Sequence, residues 1–192
     1  VDVLGLQEFS SIAAGIQALD AMAKAAPVRI LVTRIVCPGK YVILITGDVA
    51  SVEASLQAGK RDREGVLVDE LFLPNLHPRV IPAIRGPLAV REWDALGIIE
   101  SLSVAGGVLA ADAAAKEAMV EIPELRLAGG MGGKSTVKVM GGIHDVEAAV
   151  AAGVGRLQGR GLLCRQVILA RPHPDIQPFV LPERGGEDEI WN

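Results

Sequence analysis

The 192-residue sequence predicts an α+β fold made of two tandem domains, each a four-stranded antiparallel sheet with helices on one face. Two observations carry that prediction. The chain repeats itself. Within each copy, the apolar pattern alternates between the two-residue period of strands and the roughly 3.6-residue period of helices, in the order β-α-β-β-α-β.

The repeat is direct and in the same order in both halves. "LGLQEFSSIAAGIQALDAMAKAAPV" (4–28) matches "LGIIESLSVAGGVLAADAAAKEAMV" (96–120), and "GKYVILITGDVASVEASLQAG" (39–59) matches "GKSTVKVMGGIHDVEAAVAAG" (133–153). "LFLPNLHP" (71–78) then matches "VILARPHP" (167–174). The offset grows from 92 to 94 to 96, so the second copy carries two two-residue loop insertions.

Each half reads the same way. A short strand (3–8; 95–100) leads into a helix opened by Ser10 or Ser103, with Ile12, Ile16, Leu19 and Ala23 as the apolar stripe of the first copy. Two strands follow, 28–36 and 41–47, with counterparts 120–127 and 135–141. A second helix, 49–63, starts after the N-cap candidate Asp48 and aligns Val49, Val52 and Leu56; its counterpart is 144–158. A last strand, 66–73 or 162–170, ends at a His-Pro turn. The expected domains are 1–86 and 93–182, with a linker near 85–93, where Gly86-Pro87 breaks regular structure, and a charged tail at 183–192.

Composition narrows the function. Net charge is −4 and only six residues are aromatic, which argues against a nucleic-acid surface of basic patches and stacking rings. Half the residues are hydrophobic, yet no uninterrupted apolar run approaches a membrane span, and "VDVLGLQEFS" has no basic start or apolar core of a leader. The expectation is a soluble, cytoplasmic protein. Two cysteines, Cys37 and Cys164, are too few for a disulfide scaffold.

"GGMGGKST" (129–136) resembles a phosphate loop but fails its spacing, because the position of the first required glycine holds Ala128. It also feeds "STVKVMGG", which reads as a strand, where a phosphate loop needs a helix N-terminus. The repeat supplies the better reading: it occupies the place of "CPGK" (37–40), and both are turns between the second and third strands. "GVGRLQG" (153–159) has the wrong spacing and context for a dinucleotide site, which argues against an oxidoreductase. Asp20 and Asp112 recur on the first helix with no base or nucleophile at usable spacing, so they read as helix or interface residues. His77 and His173 read as turn histidines, because no second ligand stands at zinc spacing.

Each half resembles a bacterial microcompartment shell domain. The resemblance rests on the two first-helix segments, the glycine turns, "GDVASVEASLQAG" and "ARPHPDI", and spans about Val3 to Pro182. The whole chain is similar to the tandem-domain, trimer-forming shell proteins, and most like the propanediol-utilisation type whose turn carries a lone cysteine. The resemblance implies a structural role with no catalytic residues. Three chains would form a pseudohexameric tile with a central pore, and tiles would pack edge to edge with other shell proteins around enclosed enzymes, redox enzymes among them. The pore would be lined by Cys37, Pro38, Gly39 and Lys40, alternating with Gly129, Gly130, Met131, Gly132, Gly133 and Lys134. Tile edges would be formed by Lys24, Lys116, Arg171, Pro172, His173 and His77; the first half departs from the Arg-Pro-His pattern, with Asn75, Leu76 and His77.

Residue chemistry alone leaves Cys37 open between a small packing residue and a ligand. The resemblance implies a [4Fe–4S] cluster. Three copies on a threefold axis would supply three thiolates, leaving one iron for an exogenous ligand, and Lys40 would lower the thiol pKa. The other reading is a metabolite pore with Cys37 merely lining it. Cys164, within "GLLCRQVIL", reads as a packing residue.

Overall fold

The computed structural model describes residues 3–86, 88 and 94–181. They form two compact units. One runs up to Leu76 and takes in Gly130–Gly133, and the other holds His77–Gly129 and the chain from Lys134 onward. The expected linker, apart from Arg85, Gly86 and Leu88, and the expected tail lie outside the described residues.

The first unit contains β1 (Leu4–Phe9), α1 (Ile12–Ala25), β2 (Arg29–Val36), β3 (Lys40–Thr46), α2 (Val49–Lys60) and β4 (Leu67–Leu73). Its strands pair antiparallel in the order β2-β3-β1-β4. The second unit opens with the short α3 (Val80–Ile84). It continues with β5 (Ala95–Ser101), α4 (Val104–Glu117), β6 (Glu121–Leu127), β7 (Ser135–Gly141), α5 (Ile143–Gln158), β8 (Leu163–Ala170) and α6 (Gln177–Val180). Its sheet order, β6-β7-β5-β8, repeats the first, and the registers correspond, with Leu6 opposite Leu44 and Ile98 opposite Lys138. Two four-stranded antiparallel sheets with helices are therefore what the repeat specifies.

Three helices, α1, α2 and α4, start at a side-chain cap. Ser11 accepts the Ala14 N–H at 3.3 Å, Asp48 the Ser51 N–H at 2.9 Å and Ser103 the Gly106 N–H at 2.9 Å. The cap of α1 is thus Ser11 and not the expected Ser10, whose hydroxyl instead donates to the Val66 carbonyl at 3.2 Å.

Core packing corrects the expected stripe of α1. The buried residues are Gly15, Ala18 and Met22, whereas Ile16 is 53% exposed and Ala23 is exposed. The helix meets the sheet through its small residues: a Cβ on Gly15 would stand 2.5 Å from Tyr41 Cβ. Close approach selects that face for Gly15; Ile12 and Leu19 of the expected stripe pack half-buried against the core, and Ile16 is the large aliphatic of the stripe that turns outward. On α2, Val52 and Leu56 are buried as expected, but Val49 is exposed. Phe9, Met22, Tyr41, Ile43, Ile45, Val52 and Leu56 fill the core between helices and sheet.

Two short helices went unread in the sequence. Of these, α3 buries Val80, Ala83 and Ile84 against α4 and β6. No described helix is long and apolar enough to cross a membrane.

Candidate pore turns

The two glycine turns are built differently. In the first, β2 ends at Val36 and β3 begins at Lys40, so Cys37, Pro38 and Gly39 form the tip. The Cys37–Pro38 peptide is cis, Gly39 has φ 101°, and the Gly39 N–H closes on the Val36 carbonyl at 2.9 Å. The second turn is longer. Ala128, Gly129, Gly130, Gly132 and Gly133 have φ between 59° and 83°, and the Ala128 N–H donates to the Lys134 carbonyl at 3.0 Å. Left-handed backbone at nearly every position explains the glycine run, since each L side chain there costs about 1–2 kcal/mol. A Cβ on Gly39, Gly130 or Gly132 would meet nothing within 4 Å, so backbone conformation and not crowding selects those glycines. Gly133 answers both demands: its Cβ would stand 2.9 Å from Lys40 Nζ and 3.0 Å from the Cys37 carbonyl. The tip of the second turn, Gly130–Gly133, thus belongs to the same compact unit as Cys37–Lys40.

Cys37 is an exposed free thiol, which removes the packing reading. Cys164 is exposed as well, against expectation. It lies on β8, one of the two edge strands of its sheet, most of whose residues face solvent. Lys40 corrects a further expectation. Its ammonium lies 2.7 Å from Glu8 Oε1, and the Glu8 side chain is fully buried. A buried carboxylate takes the lysine's charge, so Lys40 is committed to Glu8 and not to the thiol. The repeat reproduces the pair in looser form, with Lys134 3.5 Å from Glu100 and both side chains partly exposed.

Among the described residues, no three His, Cys, Asp or Glu side chains come together as a metal site. Cys37 is the one thiol that the turns supply.

The expected edge residues divide. Lys24 is exposed and bonds Asp20 at 2.6 Å, one helical turn away. Lys116 makes the same bond to Asp112 at 2.6 Å, but the Asp112 side chain is buried and also accepts the His77 N–H at 2.8 Å. His77 is half-buried, and its imidazole pKa is lowered by desolvation and by the Arg79 and Lys116 charges, against the opposing pull of Asp112. Arg171 is exposed with φ 48°, and its N–H donates to the Asp94 carbonyl at 2.7 Å. Pro172 is buried and His173 is exposed.

Comparison with known proteins agrees with this architecture. The BMC domain family matches residues 3–76 and again 95–172. The chain is 40% identical over 170 residues to the bacterial microcompartment shell protein PduT of Citrobacter freundii, covering 88% of this chain and 92% of that one. It is 41% identical over 93 residues to the carboxysome shell protein CcmK1 of Thermosynechococcus vestitus, covering 47% of this chain and 79% of that one. Among solved structures, a microcompartment protein from Desulfitobacterium hafniense superposes with TM-score 0.82 at 45% identity, over 92% of this chain and 98% of that one. A fused permuted hexameric shell protein of the RMM microcompartment superposes with TM-score 0.63 at 19% identity, over 81% of each chain, a likeness of fold alone.

Proposed function

The chain belongs to the BMC-domain family of bacterial microcompartment shell proteins, and from that premise we propose that three copies close into a pseudohexameric tile whose pore holds a [4Fe–4S] cluster on Cys37. The tile is a structural part of a microcompartment shell and not an enzyme. It joins other shell proteins at its edges, and the cluster gives a route for electrons or for cluster exchange with enclosed redox enzymes.

The observation that carries this reading is the exposed Cys37 thiol at the tip of a turn whose neighbour, Gly39, leaves open space where a side chain would stand. A soft thiolate suits iron–sulfur ligation, and one thiolate per chain is too few for any cluster. Three copies of Cys37 meeting on an axis supply three ligands and leave one iron open to solvent or an exchangeable group. Pro38 and Gly39 fix the turn, and Gly129, Gly130, Gly132 and Gly133 keep side-chain bulk away from the alternate positions. When bound, the cluster would supply one-electron chemistry. Lys40 is held by Glu8, which ties the turn to β1 and leaves the Cys37 thiol accessible.

The test is anaerobic purification with iron and acid-labile sulfide analysis. The expected result is about four irons per three chains, lost in Cys37→Ser and retained in Cys164→Ser. Iron-free protein that still forms trimers and sheets would reject the cluster and leave a tile whose pore passes small metabolites.

A further inference from the structure

The internal repeat places one short segment in two environments. "LHPRVIPAI" (76–84) and "PHPDIQPFV" (172–180) occupy matching positions after the last strand of each half, with His77, Pro78 and Pro82 opposite His173, Pro174 and Pro178. Their local geometry is the same: the Arg79 N–H donates to His77 Nδ1 at 3.3 Å, and the Asp175 N–H to His173 Nδ1 at 3.3 Å. Their surroundings differ. In the second unit, α3 is covered: Val80, Ala83 and Ile84 are buried on α4 and β6, and the Arg79 guanidinium donates to the Val120 carbonyl. The equivalent α6 segment is held to β7 at its end, where the Lys138 ammonium donates to the Val180 carbonyl, but it is otherwise largely exposed, Phe179 at 86%.

The two elements that α3 packs on, α4 and β6, have more exposed twins in α1 and β2. Val108 of α4 is buried, and its counterpart Ile16 on α1 is exposed. On β6, Ile122 and Leu127 are buried, Leu127 at 3%; their counterparts on β2, Ile30 and Ile35, are exposed, Ile35 at 63%. Asp112 of the covered surface accepts the His77 N–H, whereas the equivalent Asp20 is exposed, with Lys24 already bonded to it. The chain therefore carries one completed joint and, separately, the two unmated halves of a second.

The charges at the matching positions differ in sign. In the completed joint, Arg79 and Glu121 line one cavity beside α5. At the matching positions stand Asp175, on the α6 segment, and Arg29, at the start of β2. Both signs are reversed together.

We propose that the exposed α1/β2 face of one copy receives the Pro174–Val180 segment of a second copy, with Asp175 of the neighbouring copy set against Arg29, and that this reversed polarity fixes the order of halves around the assembly. Phe179 and Ile176 of the neighbouring copy cover Ile16, Ile30 and Ile35, and the neighbouring copy's His173 N–H reaches Asp20 as His77 reaches Asp112. A wrong match would set Arg79 against Arg29 or Asp175 against Glu121, and like charges across an interface are strongly disfavoured. The contact is heterologous, so copies join head to tail. This deepens the tile reading and rests on it.

Charge reversal tests the pairing, with mass read by native mass spectrometry and analytical ultracentrifugation, and folding by circular dichroism. Arg29→Glu and Asp175→Arg alone should each weaken association about tenfold or more, and the double variant Arg29→Glu/Asp175→Arg should restore it. A second measurement does not depend on those variants: Arg29→Cys/Asp175→Cys, in a Cys37→Ser/Cys164→Ser background, should give covalently linked multimers on mild oxidation. Wild-type protein that remains monomeric overturns the tile and this pairing with it. A wild-type trimer that tolerates both single reversals, or is not restored by the double one, overturns the pairing alone. Failure of the paired cysteines to link copies of a trimer does the same.

Discussion

Lys40 Nζ sits 2.7 Å from Glu8 Oε1, across the sheet from a carboxylate that has no exposed surface. The pair joins the turn that carries Cys37 to the central strand β1, because Glu8 lies opposite Val42 in the β1–β3 register, two residues beyond Lys40. The turn is thereby anchored at its lysine while its thiol stays in solvent. Lys134 and Glu100, at equivalent positions, repeat the arrangement at 3.5 Å with both side chains partly exposed.

Lys40→Met should therefore destabilise the first unit by about 3 kcal/mol, the usual cost of removing one member of a buried ion pair. Lys134→Met should cost less than about 1 kcal/mol, as expected of a solvent-screened pair. Urea unfolding of both variants measures the difference. Equal losses would mean that Glu8 is protonated or hydrated without Lys40.

The glycine turns separate strain from crowding. Gly132→Ala meets open space, so its cost should be the left-handed backbone alone, about 1 kcal/mol. Gly133→Ala adds a contact with Lys40 Nζ at 2.9 Å and should cost more, partly by disturbing the Lys40–Glu8 bond. Gly15→Ala is a pure crowding case in a helix, where alanine is otherwise favoured; the 2.5 Å contact with Tyr41 should destabilise by about 1–3 kcal/mol. Thermal melts of the three variants check the order.

His77 gives the fold a dependence on mild acid. Its folded pKa lies below the ordinary value of 6.5, chiefly through desolvation. The unfolded chain therefore binds the proton more readily, and stability rises with pH across this window. The contribution is fully present above 6.5 and is lost as pH falls from there through the folded value. Urea midpoints of wild type and His77→Asn, compared between pH 7.5 and 5, should differ in slope, with the variant flatter. The groups facing His77 are Arg79, Lys116 and Asp112, and of these only Asp112 opposes the shift.

Much of this was legible in the residues. The repeat sets the element order, and capping chemistry at Asp48 and Ser103 locates two helix starts, because both signals are local. Half of the α1 stripe holds, since Ile12 and Leu19 pack on the core, but hydrophobicity also marks Ile16, whereas contact distance selects Gly15 and Ala18. Cys164 lies in an apolar run, and only the strand order reveals that the run is an edge. The Lys40–Glu8 bond spans 32 positions, so no motif announces it; the recurrence of Glu8 with Glu100 and of Lys40 with Lys134 is the one signal in the sequence. The reversed signs at 29/121 and 79/175 were equally visible, yet they acquire meaning only once α3 is seen buried.

Asp112 and Asp20 are the same residue of the repeat in two settings, and their substitutions should part company. Asp112 is buried, bonds Lys116 at 2.6 Å and accepts the His77 N–H at 2.8 Å. Asp112→Ala leaves that N–H without its acceptor and should destabilise the second unit by about 2–3 kcal/mol. Asp20 is exposed with Lys24 as its partner, so Asp20→Ala should change the stability of an isolated chain by less than about 0.5 kcal/mol. If a neighbouring copy's His173 N–H docks there, however, Asp20→Ala should weaken association while leaving the dilute monomer as stable as wild type. Sedimentation across a concentration series, run beside urea unfolding at the lowest concentration, separates the two effects. Unchanged association in Asp20→Ala would show that the two aspartates do not share a role.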